Sequence, residues 1–255
     1  MSTVDTQELD DKVQQIYQQV AEHPHGGFHF EMGRPLAVRL GYPSELLDAV
    51  PSGAVESFAG VGYFFDLAAL RPGEHVLDLG SGSGTDAFAA AHLVGHSGRV
   101  VGVDFTPEQL EKARRLAAAT GLDQVVEFWE QRIEILPMAA AAFDCVISNG
   151  VINLSADKEK VFAEAARVLR PGGRLAVADI VTEQQLTDAI VGSADLWASC
   201  IGGAAQQDTY RALIEAAGLV VREVRRNDYT FISDQARGAS ARYGVKSISL
   251  LGTKT

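Results

Sequence analysis

The sequence VLDLGSGSGTDAF, from residue 76 to residue 88, joins a short apolar run to three glycines at alternate positions. Val76–Leu79 predicts a buried strand, and the alanine-rich stretch Thr85–Val94 predicts a helix that begins just after the glycines. Glycines at this spacing let the backbone approach another group closely. In an open α/β sheet, ligands bind at the carboxyl ends of the strands, where the strand order switches. The stretch therefore predicts a ligand-binding turn between a strand and a helix.

Similar apolar runs alternate with helical stretches from about Arg71 onward, which is typical of a parallel sheet with helices on both faces. The last run follows the sixth without a clear crossover helix, so we expect an antiparallel last strand. The predicted fold class is α/β, with a seven-stranded, mostly parallel sheet. The predicted strands are Val76–Leu79, Arg99–Val103, Val125–Trp129, Phe143–Ser148, Arg174–Ile180, Val220–Val224 and Ser247–Leu251.

Two segments differ from this alternating pattern. Residues 1–70 contain one amphipathic helix, Thr6–Glu22, followed by a glycine-containing loop and two shorter helical stretches. We expect these residues to form a helical cap packed over the sheet edge rather than an independent domain. The main domain then covers residues 71–255, and it carries an insertion at 182–206 that we interpret as a lid.

The composition excludes several classes of protein. The chain has 255 residues, of which 47% are hydrophobic and 22% charged, and its net charge is −11. This balance permits a sizeable core and argues against a broad nucleic-acid or anionic-membrane surface. No apolar run approaches about 20 residues, and the polar N-terminus lacks the apolar core of a secretory signal. Two cysteines are too few for a disulfide framework. We expect a cytoplasmic protein, with monomer and homodimer both open.

The glycine turn differs from that of dinucleotide-binding enzymes. Gly80, Gly82 and Gly84 are spaced one residue shorter than the G-x-G-x-x-G pattern that places a pyrophosphate on a helix N-terminus. Asp78 is unfavourable beside a pyrophosphate but suits a cationic ammonium. Asp104 ends the second predicted strand, where a carboxylate can accept both hydroxyls of a ribose. Together they predict a ligand with a ribose, an amino-acid end and no required phosphate, a description that S-adenosylmethionine fits.

Four longer segments carry a family resemblance. The chain contains, in this order, DLGSGSGTDAF, GVDFTPEQLEKAR, SNGVINLSADKEKVFAEAARVLRPGGRLAVADIV and WASCIGGA. They resemble the class I S-adenosylmethionine-dependent methyltransferases, and more closely the branch of arsenite methyltransferase-like and UbiE-like enzymes. The resemblance covers about residues 71–222, and the two middle segments are the most specific. It implies a Rossmann-like core, methyltransferase activity and S-adenosylmethionine as cofactor.

The resemblance also implies roles for single residues in cofactor binding, with one departure. Arg132 stands where related enzymes usually carry an acid that accepts from the adenine amino group. Because arginine is only a donor, a backbone carbonyl or a neighbouring acid must substitute, or adenine recognition is weaker. The other implied residues are Gly80, Ser81 and Gly82 at the methionyl end, Asp104 at the ribose, Phe105 and Ile133 at the two faces of the adenine, and Ser148 and Asn149 beside the methionyl group.

The cysteines argue against arsenite as the substrate. Arsenite methyltransferases bind trivalent arsenic through several thiolates, which are soft ligands for a soft centre. Cys200, in WASCIGGA, matches one of them, but the earlier one falls near Val61 and the C-terminal one is missing. Cys145 lies in a predicted strand, where we expect a buried core thiol. A single thiolate cannot form a multidentate site within one chain, so Cys200 is either a lid residue or a substrate-facing one.

Three histidines lie within seven residues of the cap, at positions 23, 25 and 29. Three imidazoles can bind zinc, but this glycine-containing loop has no regular ligand spacing, so no metal site is predicted. The histidines are either solvated loop residues or part of a segment that contacts the substrate, where one acts as a base. The candidate catalytic residues are His25, His29 and Cys200, and the candidate substrate residues are Tyr17, Tyr63 and Trp197, for which core packing is the alternative.

These features predict a methyltransferase whose small-molecule acceptor lies between the cap and the lid. A sulfonium is already an activated methyl donor, so the main tasks of the protein are in-line placement and exclusion of water. One alternative is an enzyme of this fold that binds the cofactor but catalyses a non-methylating reaction, such as a cyclisation. A nicotinamide dehydrogenase, disfavoured by the glycine spacing, and a non-catalytic binding protein are the others. The acceptor atom stays open, since oxygen, nitrogen, carbon and sulfur acceptors all use this scaffold.

Overall fold

Eight strands form one sheet at the centre of the computed structural model, which describes residues 4–198 and 200–255. The strands are β1 (His75–Leu79), β2 (Arg99–Asp104), β3 (Val126–Glu130), β4 (Phe143–Asn149), β5 (Leu169–Thr182), β6 (Ala205–Gln206), β7 (Leu219–Arg226) and β8 (Lys246–Lys254). Their spatial order is β3-β2-β1-β4-β5-β8-β7, with β6 paired to the end of β5. The strands from β3 to β5 are parallel, and β8 is antiparallel to both of its neighbours.

Helices cover both faces of this sheet. Val76 of β1 packs into the cluster that contains the helix Thr85–Val94, while Leu77 and Leu79 pack into the cluster that contains the helices Lys158–Val168 and Gln207–Ala216. The helices are α1 (Thr6–Glu22), α2 (Gly33–Arg39), α3 (Ser44–Asp48), α4 (Ser52–Glu56), α5 (Phe65–Ala68), α6 (Thr85–Val94), α7 (Pro107–Thr120), α8 (Lys158–Val168), α9 (Asp188–Val191), α10 (Ala194–Ala198), α11 (Gln207–Ala216) and α12 (Asp234–Tyr243), with 3₁₀ turns at Leu122–Gln124 and Ile152–Leu154.

The strand order switches at β1, since β2 lies on one side of it and β4 on the other. The turns that leave β1 and β4 therefore diverge, and a crevice opens at the carboxyl ends of these two strands. The glycine turn follows β1 at this point. The sheet thus brings the predicted binding turn, the end of β2 and the end of β4 to the same edge.

The predicted α/β fold with an antiparallel last strand is confirmed, and the structure adds three details. The strand β5 begins at Leu169, five residues before the predicted strand Arg174–Ile180, and it includes the Pro-Gly-Gly segment. The strand β6 has only two residues, which is too short for an apolar pattern. The helix α12 precedes the last strand, and it was not predicted because only Ala236 and Tyr243 of its ten residues are buried.

The helix α1 lies over the crevice and contacts the segment 182–206. Leu9 and Val13 on its apolar face pack in one cluster with Trp197 of α10. On the exposed side, Lys12 Nζ lies 2.5 Å from Asp195 Oδ1 of α10. The predicted helix over Thr6–Glu22 is found with these bounds. Of the helices in the two described ranges, none is both long and apolar enough to cross a membrane.

Candidate functional site

The glycine turn between β1 and α6 holds a backbone that other residues would strain. Gly80 has φ +71° and Gly84 has φ +95°, in the left-handed region that costs other residues about 1–2 kcal/mol. A Cβ at Gly80 would overlap the Val151 side chain, and a Cβ at Gly84 would lie 2.8 Å from the rings of Phe88 and Phe128. These two glycines therefore permit both the turn and the packing around it.

Gly82 faces open space instead. A Cβ there would meet nothing closer than Gln109 Oε1, at 3.6 Å. The Gly82 N–H donates to Asp104 Oδ2 at 2.9 Å, and the Thr106 N–H donates to Asp104 Oδ1 at 2.8 Å. Asp104 thereby ties the turn after β1 to the end of β2. Because a carboxylate has about four acceptor positions, each oxygen keeps one for a further donor.

A cavity with about 1000 Å³ of empty space, part of it open to solvent, lies over this turn. Its size suits a small-molecule ligand. Side chains of α1 contribute to its wall, among them Tyr17, a predicted substrate residue. The cavity also brings together nine of the ten predicted cofactor residues, which are Asp78, Gly80, Ser81, Gly82, Asp104, Phe105, Arg132, Ile133 and Asn149.

Two buried carboxylates, Asp78 and Asp86, line the cavity. Asp78 Oδ2 has no hydrogen-bond partner among the described residues. Burial, followed by repulsion from Asp86, raises the pKa of Asp78 well above its usual value. Burial also raises the pKa of Asp86 to about 6, against hydrogen bonds from Tyr42 and Asn149 that lower it. An unpartnered buried carboxylate with a neighbouring acid suits a cationic ligand group.

A network of hydrogen bonds ties this acid pair to the cap. The Tyr42 hydroxyl donates to Asp86 at 2.6 Å, and Asn149 Nδ2 donates to Asp86 at 3.0 Å. Asn149 Oδ1 accepts from the Val61 N–H at 2.7 Å, and its Nδ2 donates to the Gly62 carbonyl at 3.0 Å. The sequence predicted Asn149 but missed Asp86 and Tyr42. The available signal was an acid in the first helical turn after the glycines.

The opposite part of the cavity has an aromatic and a charged wall. The guanidinium carbon of Arg132 lies 5.7 Å from the centroid of the Phe105 ring. Its two terminal nitrogens donate to the two oxygens of Asp10 on α1, at 2.8 and 3.0 Å. Arg132 Nε lies 3.5 Å from Glu134 Oε2. Two acids, Asp10 and Glu134, therefore lie beside Arg132. The role of Asp10 could not be found from sequence, because 122 residues separate it from Arg132.

The candidate catalytic residues lie outside the lining of this cavity. His25 is exposed, whereas His29 is half-buried, and burial lowers its pKa. Cys200 has φ +61°, and burial raises the pKa of its thiol to about 11. Cys145 is fully buried in β4, as predicted, and burial raises the pKa of its thiol to about 12. The described part of the chain holds no group of three or more His, Cys, Asp or Glu side chains placed for a metal ion.

Three further predicted residues also lie away from the cavity lining. Tyr63 lines a separate, shallower hollow beside α3 and α5. Trp197 is buried, and its indole N–H donates to the Val191 carbonyl at 2.7 Å. The Ser148 hydroxyl donates to the Leu79 carbonyl at 2.9 Å, inside the sheet. These contacts place Trp197 and Ser148 in packing positions.

Comparison with known proteins agrees with this geometry. A sequence model of the methyltransferase domain family matches residues 70–218. The arsenite methyltransferase of Halobacterium salinarum is 42% identical over 198 residues, which are 77% of this chain and 50% of that protein. A second arsenite methyltransferase, from Aquipseudomonas alcaligenes, is 39% identical over 66% of this chain and is also half covered. The chain thus spans about half the length of these curated relatives.

Solved structures add a comparison at the level of the fold. The crystal structure of an arsenic (III) S-adenosylmethionine methyltransferase from Chlamydomonas reinhardtii is 30% identical, with a TM-score of 0.64. The alignment covers 88% of this chain and 74% of that one. The motifs, the mostly parallel sheet and the family match over more than half of the chain all agree. The chain therefore belongs to the methyltransferase domain family, within the class I S-adenosylmethionine-dependent methyltransferases that include the arsenite methyltransferases.

Proposed function

We propose that this protein is an S-adenosylmethionine-dependent methyltransferase that acts on a small-molecule acceptor. The observation that carries the proposal is the glycine turn and its two acids, Asp78 and Asp104, around one cavity. The open backbone at Gly82 suits the methionyl end, and the spare acceptor positions of Asp104 suit the ribose hydroxyls. The unpartnered oxygen of Asp78 suits the ammonium. The residues present therefore fit this cofactor.

The reaction needs placement more than activation. When bound, the cofactor supplies a methyl group on a positively charged sulfur. The residues of this chain would hold it in place: the glycine turn at the methionyl end, Asp104 at the ribose, and Phe105 and Ile133 around the adenine. Fixing donor and acceptor in line replaces a bimolecular encounter by a unimolecular step, which is a large part of the rate enhancement.

The cap would exclude water and contact the acceptor. Val13 and Tyr17 of α1 line the same cavity as the cofactor residues, together with Phe58 and Gly60 of the loop after α4. Burial raises the pKa of Tyr17 well above its usual value, so its hydroxyl stays a neutral donor at pH 7. His29 stays a predicted base, but neither it nor His25 lines this cavity.

The direct test is transfer of a labelled methyl group. The purified protein is incubated with the methyl-labelled cofactor and a panel of acceptors that offer oxygen, nitrogen, carbon or sulfur. Label in a small product supports the proposal, and Asp104→Ala is the control in which it should disappear. Bound cofactor without any labelled product across the panel would favour the non-methylating alternative, while absence of binding in calorimetry would refute the cofactor itself.

Arsenite is expected not to serve as the acceptor, although two relatives are arsenite methyltransferases. Val61 is buried at the position of one expected thiolate, and Cys145 is enclosed in the sheet. Only Cys200 remains, and burial raises the pKa of its thiol to about 11. Labelled cofactor with arsenite and glutathione should therefore give no methylated arsenic. Methylated arsenic that disappears in Cys200→Ser would contradict this expectation.

Cofactor affinity should depend on pH through the acid pair. The ligand ammonium favours ionised carboxylates, so binding lowers their pKa and releases protons. With a pKa of about 6 for free Asp86 and a raised pKa for Asp78, affinity rises with pH across this range. In calorimetry, we expect S-adenosylhomocysteine to bind at least about fourfold more tightly at pH 7.0 than at pH 5.5.

The matched ligand for this measurement is 5′-methylthioadenosine, which shares the ribose and adenine but lacks the amino-acid end. Its affinity should change less over the same pH range, because it carries no ammonium to interact with Asp78 or Asp86 and keeps only the ribose contact to Asp104. Equal pH dependence for both nucleosides would show that other groups are responsible. Asp104 has a raised pKa too, chiefly because it is buried, so this control also removes its contribution.

We further propose that the protein acts in the cytoplasm, as a monomer or homodimer, and without nucleic acid. The net charge of −11 supports the last point, since phosphate backbones attract basic surfaces. Both cysteines are free, as is usual in a reducing compartment. Light scattering of the purified protein gives the oligomeric state, and a nucleic-acid titration at low salt gives no binding if the proposal holds.

A further inference from the structure

We infer that Asp10, on the cap helix α1, is the residue that accepts from the adenine amino group of the cofactor. The inference rests on the proposed function and extends it to a residue outside the family's sequence motifs. It explains how a chain with Arg132 at the expected acid position still forms an adenine site. It also makes the cofactor site composite, because one of its binding residues comes from the cap.

The position of Asp10 supports this role. Asp10, Val13 and Tyr17 are spaced three and four residues apart, so they share one face of α1, and all three line the cavity. On the same face of the site, Gln14 Nε2 lies 3.4 Å from the Phe105 carbonyl. The helix therefore lies directly beside the residue that is expected to pack on the adenine.

The pairing of Asp10 with Arg132 orients its carboxylate. Both oxygens accept from the guanidinium, at 2.8 and 3.0 Å, in the two-pronged geometry that fixes a carboxylate plane. The same guanidinium lies 5.7 Å from the centroid of the Phe105 ring. Two of the four acceptor positions of the carboxylate remain for another donor. Arg132 thus acts as the positioning residue, and Asp10 acts as the acceptor.

Glu134 is the competing acceptor in this wall. It also lines the cavity, but its Oε1 accepts from the Ser155 hydroxyl at 2.5 Å. Its Oε2 lies 3.5 Å from Arg132 Nε, at the edge of the guanidinium rather than across its two terminal nitrogens. The contacts of Glu134 therefore direct it toward the loop before α8, whereas those of Asp10 hold it beside Phe105.

A thermodynamic cycle, in which the protein and the ligand are changed separately and together, tests the contact between Asp10 and the adenine amino group. Calorimetry compares S-adenosylhomocysteine with its analogue that lacks the 6-amino group, in the wild type and in Asp10→Ala. The wild type should bind the parent nucleoside about tenfold more tightly, as expected for one hydrogen bond to a charged group. Asp10→Ala should lose about tenfold for the parent nucleoside and bind both ligands within about twofold. Asp11→Ala, an equal charge change at an exposed neighbour, should behave as the wild type.

Four further results separate the explanations. An Asp10→Ala variant that still prefers the amino nucleoside tenfold overturns the inference, as does loss of this preference in Glu134→Gln instead. A double variant, Asp10→Ala with Arg132→Asp, returns an acid to the family position and should restore the preference. If the wild type binds neither nucleoside, the proposed cofactor itself is wrong.

Discussion

Asp104→Ala is expected to weaken binding of S-adenosylhomocysteine at least a hundredfold. Its carboxylate offers acceptor positions for both ribose hydroxyls, and each hydrogen bond to a charged group contributes about 1.5–3 kcal/mol. The loss of two such bonds corresponds to a factor of about 100 or more in the dissociation constant. The variant also removes the acceptor of the Gly82 N–H, so the turn at the methionyl end loses an anchor. Calorimetry gives the dissociation constant directly.

The matched control for Asp104 is Glu130→Ala. Glu130 ends the neighbouring strand β3 and stands opposite Asp104 in the sheet register, but it is exposed and does not line the cavity. The Glu130→Ala variant should bind S-adenosylhomocysteine as tightly as the wild type does. If Asp104→Ala lost less than about fivefold in affinity, Asp104 would only hold the turn and the ribose would be bound by other residues.

The parts of the site that follow from sequence are those in which neighbouring residues carry the signal. The strand β1 is a continuous apolar run, and the turn after it contains three glycines, all of which have positive φ. The end of β2 is predicted by the same logic, so Asp104 follows from its place in the chain. Because parallel strands bring their carboxyl ends to one edge, these local patterns define a common site without any knowledge of long-range contacts.

The parts that sequence missed depend on contacts between distant segments. Asp10 is one of several acids on an amphipathic helix, where an acid is ordinarily a solvated residue. Only the docking of α1 beside Phe105 places it next to Arg132. Tyr42 is similar, because its bond to Asp86 depends on how the cap packs on α6. No periodicity records such a pairing, so these residues required coordinates.

The substrate and catalytic candidates were predicted from sequence, but not all of them line the cavity, because they were chosen by residue type alone. Tyr17 and Tyr63 looked alike in sequence, yet Tyr17 lines the cavity and Tyr63 lines another hollow. His25 and His29 also differ, because one is exposed and the other half-buried. Their roles in catalysis stay predictions. A chemically capable side chain in a loop does not reveal its direction, and direction decides whether it can reach an acceptor.

Gly80→Ala should destabilise the fold by about 2–5 kcal/mol and abolish detectable cofactor binding. The residue has φ +71°, so any side chain costs about 1–2 kcal/mol in backbone strain. Its Cβ would also lie 2.5 Å from Cγ1 of Val151, well inside van der Waals contact. Val151 is β-branched and stiff, and the fully buried Ile152 follows it, so relief by movement costs a further 1–3 kcal/mol or so. Urea denaturation measures the free energy of unfolding.

Two companion variants separate the backbone strain at Gly80 from the steric overlap with Val151. Gly121 has nearly the same backbone angle, φ +70°, but open space where its Cβ would point, so Gly121→Ala should lose only the strain of about 1–2 kcal/mol. In Gly80→Ala with Val151→Ala, the overlap is reduced and part of the lost stability should return. If Gly80→Ala were no worse than Gly121→Ala, the close approach of Val151 would have no energetic weight. The glycine would then be needed for its backbone angle alone, and binding should survive in the variant.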